Sequence, residues 1–222
     1  MPMPVNVRRR SRPVRGKASP GRDVEATQGN RERERIALLR AARRVFLRRG
    51  YAETRVEDVL REAGLSTRAF YRVHASKDEL FLALFDRANA AAMARLRASV
   101  ARHSRPVAQL DAYVDATLDL AHDPRLAAET RLFAGVPPGI ADRHAEEVLA
   151  CREQLVAVLR EIIERGGRSG DFPHPAPAID AWALHGALSA ALELALRSPR
   201  SPGRAALSRR LRRLLRGALG AA

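Results

Sequence analysis

The segment from residue 54 to residue 77 constrains the fold most, because it predicts two short helices joined by a tight turn. The first helix ends at Gly64, where a left-handed backbone costs little. Ser66 can cap the second helix, which runs from Thr67 to about Val73. The spacing gives this second helix two distinct faces. Ala69, Phe70 and Val73 are expected to point to the core, and Thr67, Arg68, Tyr71 and Arg72 to point outward.

Helices are also predicted on both sides of this pair. An amphipathic pattern covers Arg31 to Arg49 and stops at Gly50. Thr54 with Glu57, and Ser76 with Glu79, have the spacing of capping boxes, which places helix starts at both sites. The helix that starts after Ser76 is predicted to continue to about Arg102. Three helices within about 45 residues, with a Gly-containing turn before the third, match a helix-turn-helix. The alternative is an ordinary αα-hairpin whose arginines are only solvated.

Positive charge is concentrated at the two ends of the chain. The total is +15, with +5 in residues 1–30, +6 in 31–75, −4 in 76–196 and +8 in 197–222. This asymmetry indicates a polyanionic partner for the N-terminal third. A general bias towards arginine is the alternative, but it does not explain an acidic middle. Residues 1–30 are rich in Arg, Pro, Gly and Ser, and are predicted to be a disordered basic arm that either follows DNA or is simply solvated.

Residues 35–85 resemble the DNA-binding region of the tetracycline-repressor (TetR) family of bacterial transcription regulators. The resemblance rests on Ala41-Ala42, Phe46, Gly50-Tyr51, Thr54, Val56, Val59, Ala63-Gly64-Leu65-Ser66, Phe70-Tyr71-Arg72 and Ser76-Lys77-Asp78-Glu79-Leu80. Two departures from the family pattern are Leu60 in place of a usual alanine and Val73-His74 in place of a commoner His-Phe pair. Both departures should alter the packing beneath the recognition helix more than its DNA-facing side.

The resemblance implies a role for each outward residue. Thr67, Arg68 and Arg72 would lie at the floor of the major groove, where arginine can bond guanine O6 and N7 in bidentate fashion. Tyr71 and Lys77 would contact phosphates, together with the hydroxyls of Thr54 and Ser66 and the amides at helix starts. On this division of roles, loss of Arg72 should relax sequence preference and loss of Lys77 should weaken binding to every sequence.

The second half of the chain is predicted to be helical throughout. The patterns cover Val107 to Leu120, Pro124 to Phe133, Ile140 to Arg165, Ile179 to Arg197 and Ala205 to Leu219. The helix predicted from Ile179 to Arg197 is apolar nearly all round and carries small residues, which favours burial against a partner protomer. The resemblance assigns the last two helices to a dimer interface, with candidate residues Gly186, Ala187, Ala190, Leu194, Leu207, Leu211 and Leu214. A basic amphipathic helix on an anionic membrane is the alternative for the last of them.

Between the two ends, the helices could enclose a cavity, and family members generally use such a cavity for a small-molecule inducer. The candidate lining residues are Tyr113, Thr117, Leu120, Phe133, Cys151, Leu155, Trp182 and His185. Each of these side chains can equally be core filler. The effector is expected to be hydrophobic, and its identity is not encoded in any motif.

Several function classes receive no support from the sequence. Cys151 is the single cysteine, and the six histidines are never at metal-ligand spacing, so neither a disulfide nor a metal is expected. Motifs of nucleotide-binding and hydrolytic enzymes are absent, so no catalytic residue and no cofactor is expected. The N-terminus lacks the apolar core of a secretion signal, and neither such a signal nor a segment that spans a membrane is expected, which favours a cytoplasmic protein.

Together these patterns predict an all-α protein of about nine helices. A basic arm at residues 1–30 would precede a three-helix helix-turn-helix domain at 31–79 and a helical ligand-binding and dimerisation domain at 80–222. The expected function is a homodimeric regulator that binds double-stranded DNA, a repressor released from a palindromic operator by a ligand. The alternative is an architectural protein that binds DNA without sequence specificity or ligand.

Overall fold

The computed structural model describes residues 20–133, 136–198 and 200–221, and ten helices and no strand are found in these residues. In chain order they are α1 (Pro20–Arg49), α2 (Val56–Ala63), α3 (Thr67–Val73), α4 (Lys77–Val100), α5 (Pro106–His122), α6 (Pro124–Phe133), α7 (Pro138–Arg143), α8 (Ala145–Ser169), α9 (Pro177–Arg197) and α10 (Arg204–Ala218). The all-α prediction is therefore confirmed.

The N-terminal apolar core is built from α1 to α4 with additions from α6 and α7. Its fully buried members include Phe46, Val59, Phe70 and Phe81, and Phe133 lies beside Phe81 with their ring centroids 5.4 Å apart. Edge-to-face and tilted ring pairs of this kind add to the burial energy of the aromatic side chains. The helix-turn-helix is thus packed against residues from the chain's middle, although the division at residues 79 and 80 stays a prediction.

The C-terminal apolar core is formed by the second half of α4 with α5, α8, α9 and α10. Tyr113, Leu159, Ile162 and Phe172 are buried at its centre. Helix α4 contributes to both cores, with Leu80 to Leu84 in the first and Met93 to Val100 in the second. This single 24-residue helix therefore connects the helix-turn-helix to the C-terminal bundle.

Helix α10 is held on α5 by paired charges as well as by leucines. Arg204, Arg212 and Arg216 bond Asp119, Asp115 and Asp111 respectively, and the Ser208 hydroxyl donates to Asp115 at 2.6 Å. The leucine stripe of α10 lies in the C-terminal core of the same protomer. The membrane-surface alternative for this helix is weakened, because Leu207, Leu211 and Leu215 are already covered by protein, and Leu214 alone among its leucines is exposed.

Two of the predicted helices differ from those in the structure. Helix α1 begins at Pro20 and not near Arg31, because extending an anchored helix adds one hydrogen bond per residue without a new nucleation cost. The predicted disordered arm thus loses residues 20–30, and its residues 1–19 lie outside the described residues. The predicted helix from Ile140 to Arg165 is broken at His144, whose φ of −130° and ψ of 41° separate α7 from α8. The described chain therefore has ten helices where nine were expected.

The start of α2 also differs from its prediction. The helix begins at Val56, and the Asp58 carboxylate accepts a hydrogen bond from the Arg55 amide at 3.1 Å, so Arg55 and Asp58 take the positions expected of Thr54 and Glu57. Thr54 is buried instead, and its hydroxyl donates to the Gly50 carbonyl at 2.7 Å.

The expectation that no segment could span a membrane is wrong for α9 on length and composition. This helix contains an 18-residue window of mean hydropathy 1.2 with at most two charged residues, and only 22% of the window is buried. One such helix is weak evidence for a membrane, since a helix that packs against a second protein surface has the same composition.

Candidate nucleic-acid interface

Helix α3 presents one face to the core and the other to solvent, as its residue pattern predicted. Ala69 and Phe70 are buried, while Thr67, Arg68 and Arg72 are exposed and Tyr71 has 60% of its surface accessible. Phe70 anchors the helix, and the Tyr71 ring packs edge-on against it at 5.2 Å between centroids. The outward face therefore combines hydroxyls, guanidinium groups and a phenol, which are the donors that bond bases and phosphates.

The turn before α3 is fixed by backbone geometry. Gly64 has φ of 65°, and the Leu65 amide donates to the Leu60 carbonyl at 3.1 Å, which closes α2. Ser66 then accepts a hydrogen bond from the Ala69 amide through its side-chain oxygen at 3.3 Å. The hydroxyl hydrogen of Ser66 is not used by that bond, so it remains able to donate to a phosphate.

Of the outward residues of α3, Arg72 alone forms an ion pair with a residue that the structure describes. Its guanidinium bonds both carboxylate oxygens of Glu34 on α1, and the Arg31 guanidinium donates to the Arg72 carbonyl at 3.0 and 3.2 Å. The Arg72 guanidinium holds the pKa of Glu34 below its usual value. To reach a base, Arg72 would have to leave Glu34, which gives Arg68 the freer access to DNA.

Lys77 lies in a position different from the one expected for a phosphate contact. Its ammonium donates to the carbonyls of Tyr51 at 3.0 Å and Thr54 at 2.9 Å, and it lies 4.1 Å from the centre of the Tyr51 ring. Lys77 therefore ties the start of α4 to the loop before α2. Neither Lys77 nor the buried Thr54 hydroxyl faces outward, so the structure contradicts a direct phosphate role for these two groups.

Two contributors to this region were missed in the sequence. Arg31 appeared there only as the first residue of a helix, and no local signal shows that it supports α3. Arg143 of α7 bonds Asp78, which also accepts from the Tyr51 hydroxyl. Arg143 and Tyr51 hold the pKa of Asp78 below its usual value, although burial opposes them. The pairing of Arg143 with Asp78 joins residues 65 positions apart, and helical periodicity in the sequence does not predict such a contact.

His74 is buried at the C-terminal end of α3 with 4% of its surface exposed, and neither ring nitrogen has a hydrogen-bond partner among the described residues. Burial lowers the pKa of His74 below its ordinary value of 6.5. The Glu79 carboxylate, 3.8 Å from Nδ1, acts in the opposite direction, and Arg35 reinforces the lowering. A family-like phenylalanine would place no unpaired polar atom at this site.

We expect His74→Phe to stabilise the protein by about 1–3 kcal/mol, the usual cost of a buried unsatisfied polar group. Because the unfolded chain takes up the His74 proton at a higher pH than the folded chain, wild-type stability is greatest above pH 6.5 and falls as pH drops below it. Urea unfolding between pH 5 and 8 should show a flatter profile for the variant. An unchanged profile would show that His74 is not the group that titrates.

The predicted ligand-pocket residues do not line one cavity among those described. Tyr113 is buried and its hydroxyl donates to the Leu155 carbonyl at 3.2 Å, while the Thr117 hydroxyl donates to the Tyr113 carbonyl at 2.9 Å. Burial raises the pKa of the Tyr113 phenol. Cys151 lies elsewhere, beside Asp86, and burial raises the pKa of its thiol to about 11. Trp182 and His185 lie on α9, where the indole is 41% exposed. Only Leu120 and Phe133 line a substantial groove, which lies between α1, α4, α5 and α6.

The predicted dimer residues divide into two groups. Gly186 and Ala190 are exposed, as are Leu194 at 45% and Leu214 at 57% of their surface, and Ala187 is partly buried beside them. Leu207 and Leu211 are buried in the core of their own protomer, so assigning them to the dimer interface was wrong. The leucine spacing of α10 alone could not distinguish a core-facing stripe from a partner-facing one.

A metal site finds no support in the described residues. They contain no cluster of three or more His, Cys, Asp or Glu side chains that could hold a metal ion.

Comparison with known proteins agrees with this geometry. Residues 38–84, from α1 to the start of α4, match the family model described as bacterial regulatory proteins of the tetR family. The chain is 29% identical over 153 residues to the HTH-type transcriptional repressor NicS of Pseudomonas putida, covering 67% of this chain and 69% of that relative.

Solved structures of regulators have a similar fold. The fatty acid degradation regulator FadR of Bacillus halodurans gives a TM-score of 0.66 at 19% identity, covering 83% of this chain and 98% of its own. FadR of Bacillus subtilis, solved with stearoyl-CoA, gives 0.67 at 17% identity over 81% and 96% of the two chains. Residues 38–84 therefore carry a helix-turn-helix of the tetR family, and the chain is similar to DNA-binding transcription regulators of that family.

Proposed function

We propose that the protein is a homodimeric, cytoplasmic repressor that binds a two-fold symmetric operator and is released from it by a small molecule. The observation that carries the proposal is the outward face of α3, where Thr67, Arg68 and Tyr71 project from a helix that Phe70 anchors. The relative from Pseudomonas putida is a transcriptional repressor, which supports repression over activation.

In this proposal, the residues of α3 divide into two roles. Thr67 and Arg68 read base edges in the major groove, and Arg72 joins them when it leaves Glu34. Tyr71, the Ser66 hydroxyl and the amides at the start of α3 hold phosphates and set the position of the helix. Lys77 and Thr54 act indirectly, because they fix the loop between α1 and α2 relative to α4.

The second element of the proposal is a dimer formed through α9 and α10. The exposed stripe of Trp182, Gly186, Ala190 and Leu194 on α9, continued by Leu214 on α10, is apolar and rich in small side chains. Such a surface is suited to close packing against its own copy around a two-fold axis. Two protomers then place their α3 helices about 34–36 Å apart, one turn of B-form DNA.

The proposal is tested by selection of binding sites from a pool of random duplexes. We expect an enriched site with two inverted half-sites, bound about a thousandfold or more tightly than random DNA at physiological salt. A ratio below about ten, with similar affinity for every duplex, would favour the architectural alternative that the net charge of +15 suggests.

We expect Gly186→Arg to convert the dimer to a monomer while leaving each protomer folded. No atom lies within 4 Å of a Cβ added at Gly186, which is exposed, and arginine is the better helix former, so we expect each protomer to fold normally. At a symmetric interface, the same change introduces two charges into an apolar contact. Light scattering gives the mass. Gly29→Arg, at another open helical glycine, is the matched control and should remain dimeric. A dimeric Gly186→Arg variant would place the interface elsewhere.

Regulation by a ligand is the third element. FadR of Bacillus subtilis has been solved with stearoyl-CoA, and its fold matches that of this chain, which supports a ligand-bound state without identifying the ligand here. A ligand that prefers the conformation with wrongly spaced α3 helices lowers operator affinity by its differential affinity for the two conformations.

A further inference from the structure

An open groove of about 360 Å³ runs between α1, α4, α5 and α6. Its floor is apolar and consists of Phe85, Ala88, Leu120, Leu126 and Phe133. Phe85, Ala88, Leu120 and Leu126 are only partly buried, so a ligand could cover apolar surface that now meets solvent. Covering such surface with a ligand is favourable, because apolar area is removed from water.

The rim of this groove is strongly basic. Arg40 and Arg43 come from α1, and Arg87 and Arg95 from α4. The single carboxylate of the lining, Glu129 on α6, is bonded to Arg43 at 2.8 Å. Arg40, Arg87 and Arg95 form no ion pair with any residue that the structure describes. Unpaired guanidinium groups around an apolar floor are complementary to a molecule with an apolar body and an anionic head.

Arg95 is the best-placed partner for the anionic head. A second depression of about 800 Å³ continues from the groove between α4 and α5, and the two share Ala92, Arg95, Leu120 and Leu126. Arg95 therefore stands where the apolar section meets the more polar one. A head group bonded there leaves the chain free to lie along the floor towards Phe133.

We propose that this groove is the effector site and that it takes an amphipathic anion, a hydrocarbon chain ending in a carboxylate or phosphate. The inference rests on the proposed function only for its effect on DNA, since binding in the groove is measured without DNA. The ligand acts on α1, because the same helix carries Arg43 at the groove and Arg31 and Glu34 against α3. A hydrocarbon chain lying along the floor changes the packing between α1 and α6, which Arg43 and Glu129 now join, and α3 moves with α1.

The test uses dodecanoate as the probe, below its micelle concentration, with the full-length protein in a calorimeter. Dodecanol supplies the same chain without charge, and acetate supplies the charge without the chain. We expect dodecanoate to bind about tenfold or more tightly than either control, because a charge-assisted hydrogen bond and the buried chain both contribute. Equal binding of dodecanoate and dodecanol would overturn the role of the anionic head.

Two variants locate the binding. Arg95→Gln should weaken dodecanoate about tenfold, whereas Arg97→Gln, on the same helix but directed at Glu161 of α8, should not. Ala91 is exposed on the groove wall, so Ala91→Trp should fill the groove and abolish binding without unfolding the chain. Binding that survives both Arg95→Gln and Ala91→Trp, or no binding of dodecanoate at all, would overturn the site.

The effect on DNA is measured last, with the selected operator. Dodecanoate should lower operator affinity of the wild type and leave Ala91→Trp unaffected. If dodecanoate binds in the groove but operator affinity stays constant, the coupling through α1 is wrong while the DNA-binding function stands. If selection yields no preferred sequence, the proposed function fails, and the calorimetric result still decides whether the groove is a ligand site.

Discussion

Replacing Arg68 with alanine is expected to reduce operator affinity by about 30-fold or more. A bidentate contact from arginine to guanine contributes roughly 1–3 kcal/mol of discrimination, and a dimer loses two of them. Arg68 is exposed on the outward face of α3, whereas Arg72 is bonded to Glu34. Arg72→Ala should therefore have the smaller effect, because its contact with DNA first requires separation from Glu34.

The readout is the affinity for the selected operator and for a random duplex, each measured over a range of salt concentrations. Arg168→Ala is the matched control, since Arg168 is exposed in the last turn of α8 and the same charge is removed. Arg68→Ala should lose affinity for the operator much more than for random DNA. Equal losses on both duplexes would mean that Arg68 contacts only phosphates, and base reading would then have to come from other residues of α3.

Replacing Gly166 with alanine is expected to destabilise the protein by about 3 kcal/mol or more. A methyl group at this position would lie 2.0 Å from Cδ2 of Phe172, which is fully buried, and the Phe172 amide also donates to the Gly166 carbonyl at 3.1 Å. Either the ring leaves the core or α8 shifts. Overpacking usually costs about 1–3 kcal/mol, and loss of a buried phenylalanine costs about 3–5 kcal/mol.

Urea unfolding of Gly166→Ala and of Gly29→Ala provides the comparison. Gly29 is helical and has no atom within 4 Å of an added methyl group, so Gly29→Ala should be neutral or stabilising by up to about 1 kcal/mol. A second measurement uses Phe172→Ala and the double variant. Since Phe172→Ala already removes the ring, the added cost of Gly166→Ala should largely vanish in that background. Additive losses would show that the clash with Phe172 is not the cause.

The parts of the fold that follow from local rules were predictable from sequence. Helix α3 spans Thr67–Val73 as expected, because Gly64 supplies a left-handed turn and Ser66 caps the next helix within four residues. Its outward face was predictable too, since Ala69 and Phe70 fix which side must be buried. The bounds of α6, and the start of α4 at the Ser76 cap, follow from the same kind of signal.

The parts that depend on distant packing were not predictable. Lys77 looks like a phosphate-binding residue in sequence, but the carbonyls that it bonds come from a loop more than twenty residues earlier. Leu207 and Leu211 have the spacing of an interface, yet their burial depends on aspartates of α5 that hold α10 in place. The effector groove draws on four helices, and among its lining only Leu120 and Phe133 had been expected to contact a ligand.

Helix α4 is rooted at one end beside the DNA-reading helices and at the other among α5 and α8, and its 24 residues are continuous. At 1.5 Å per residue it is about 36 Å long, so a tilt of about 5° around one end displaces the other by about 3 Å. That displacement equals the length of a hydrogen bond to a base edge. A rotation too small to disturb the packing of the bundle is thus large enough to change the spacing of the two α3 helices in a dimer, so that it no longer matches one turn of the duplex.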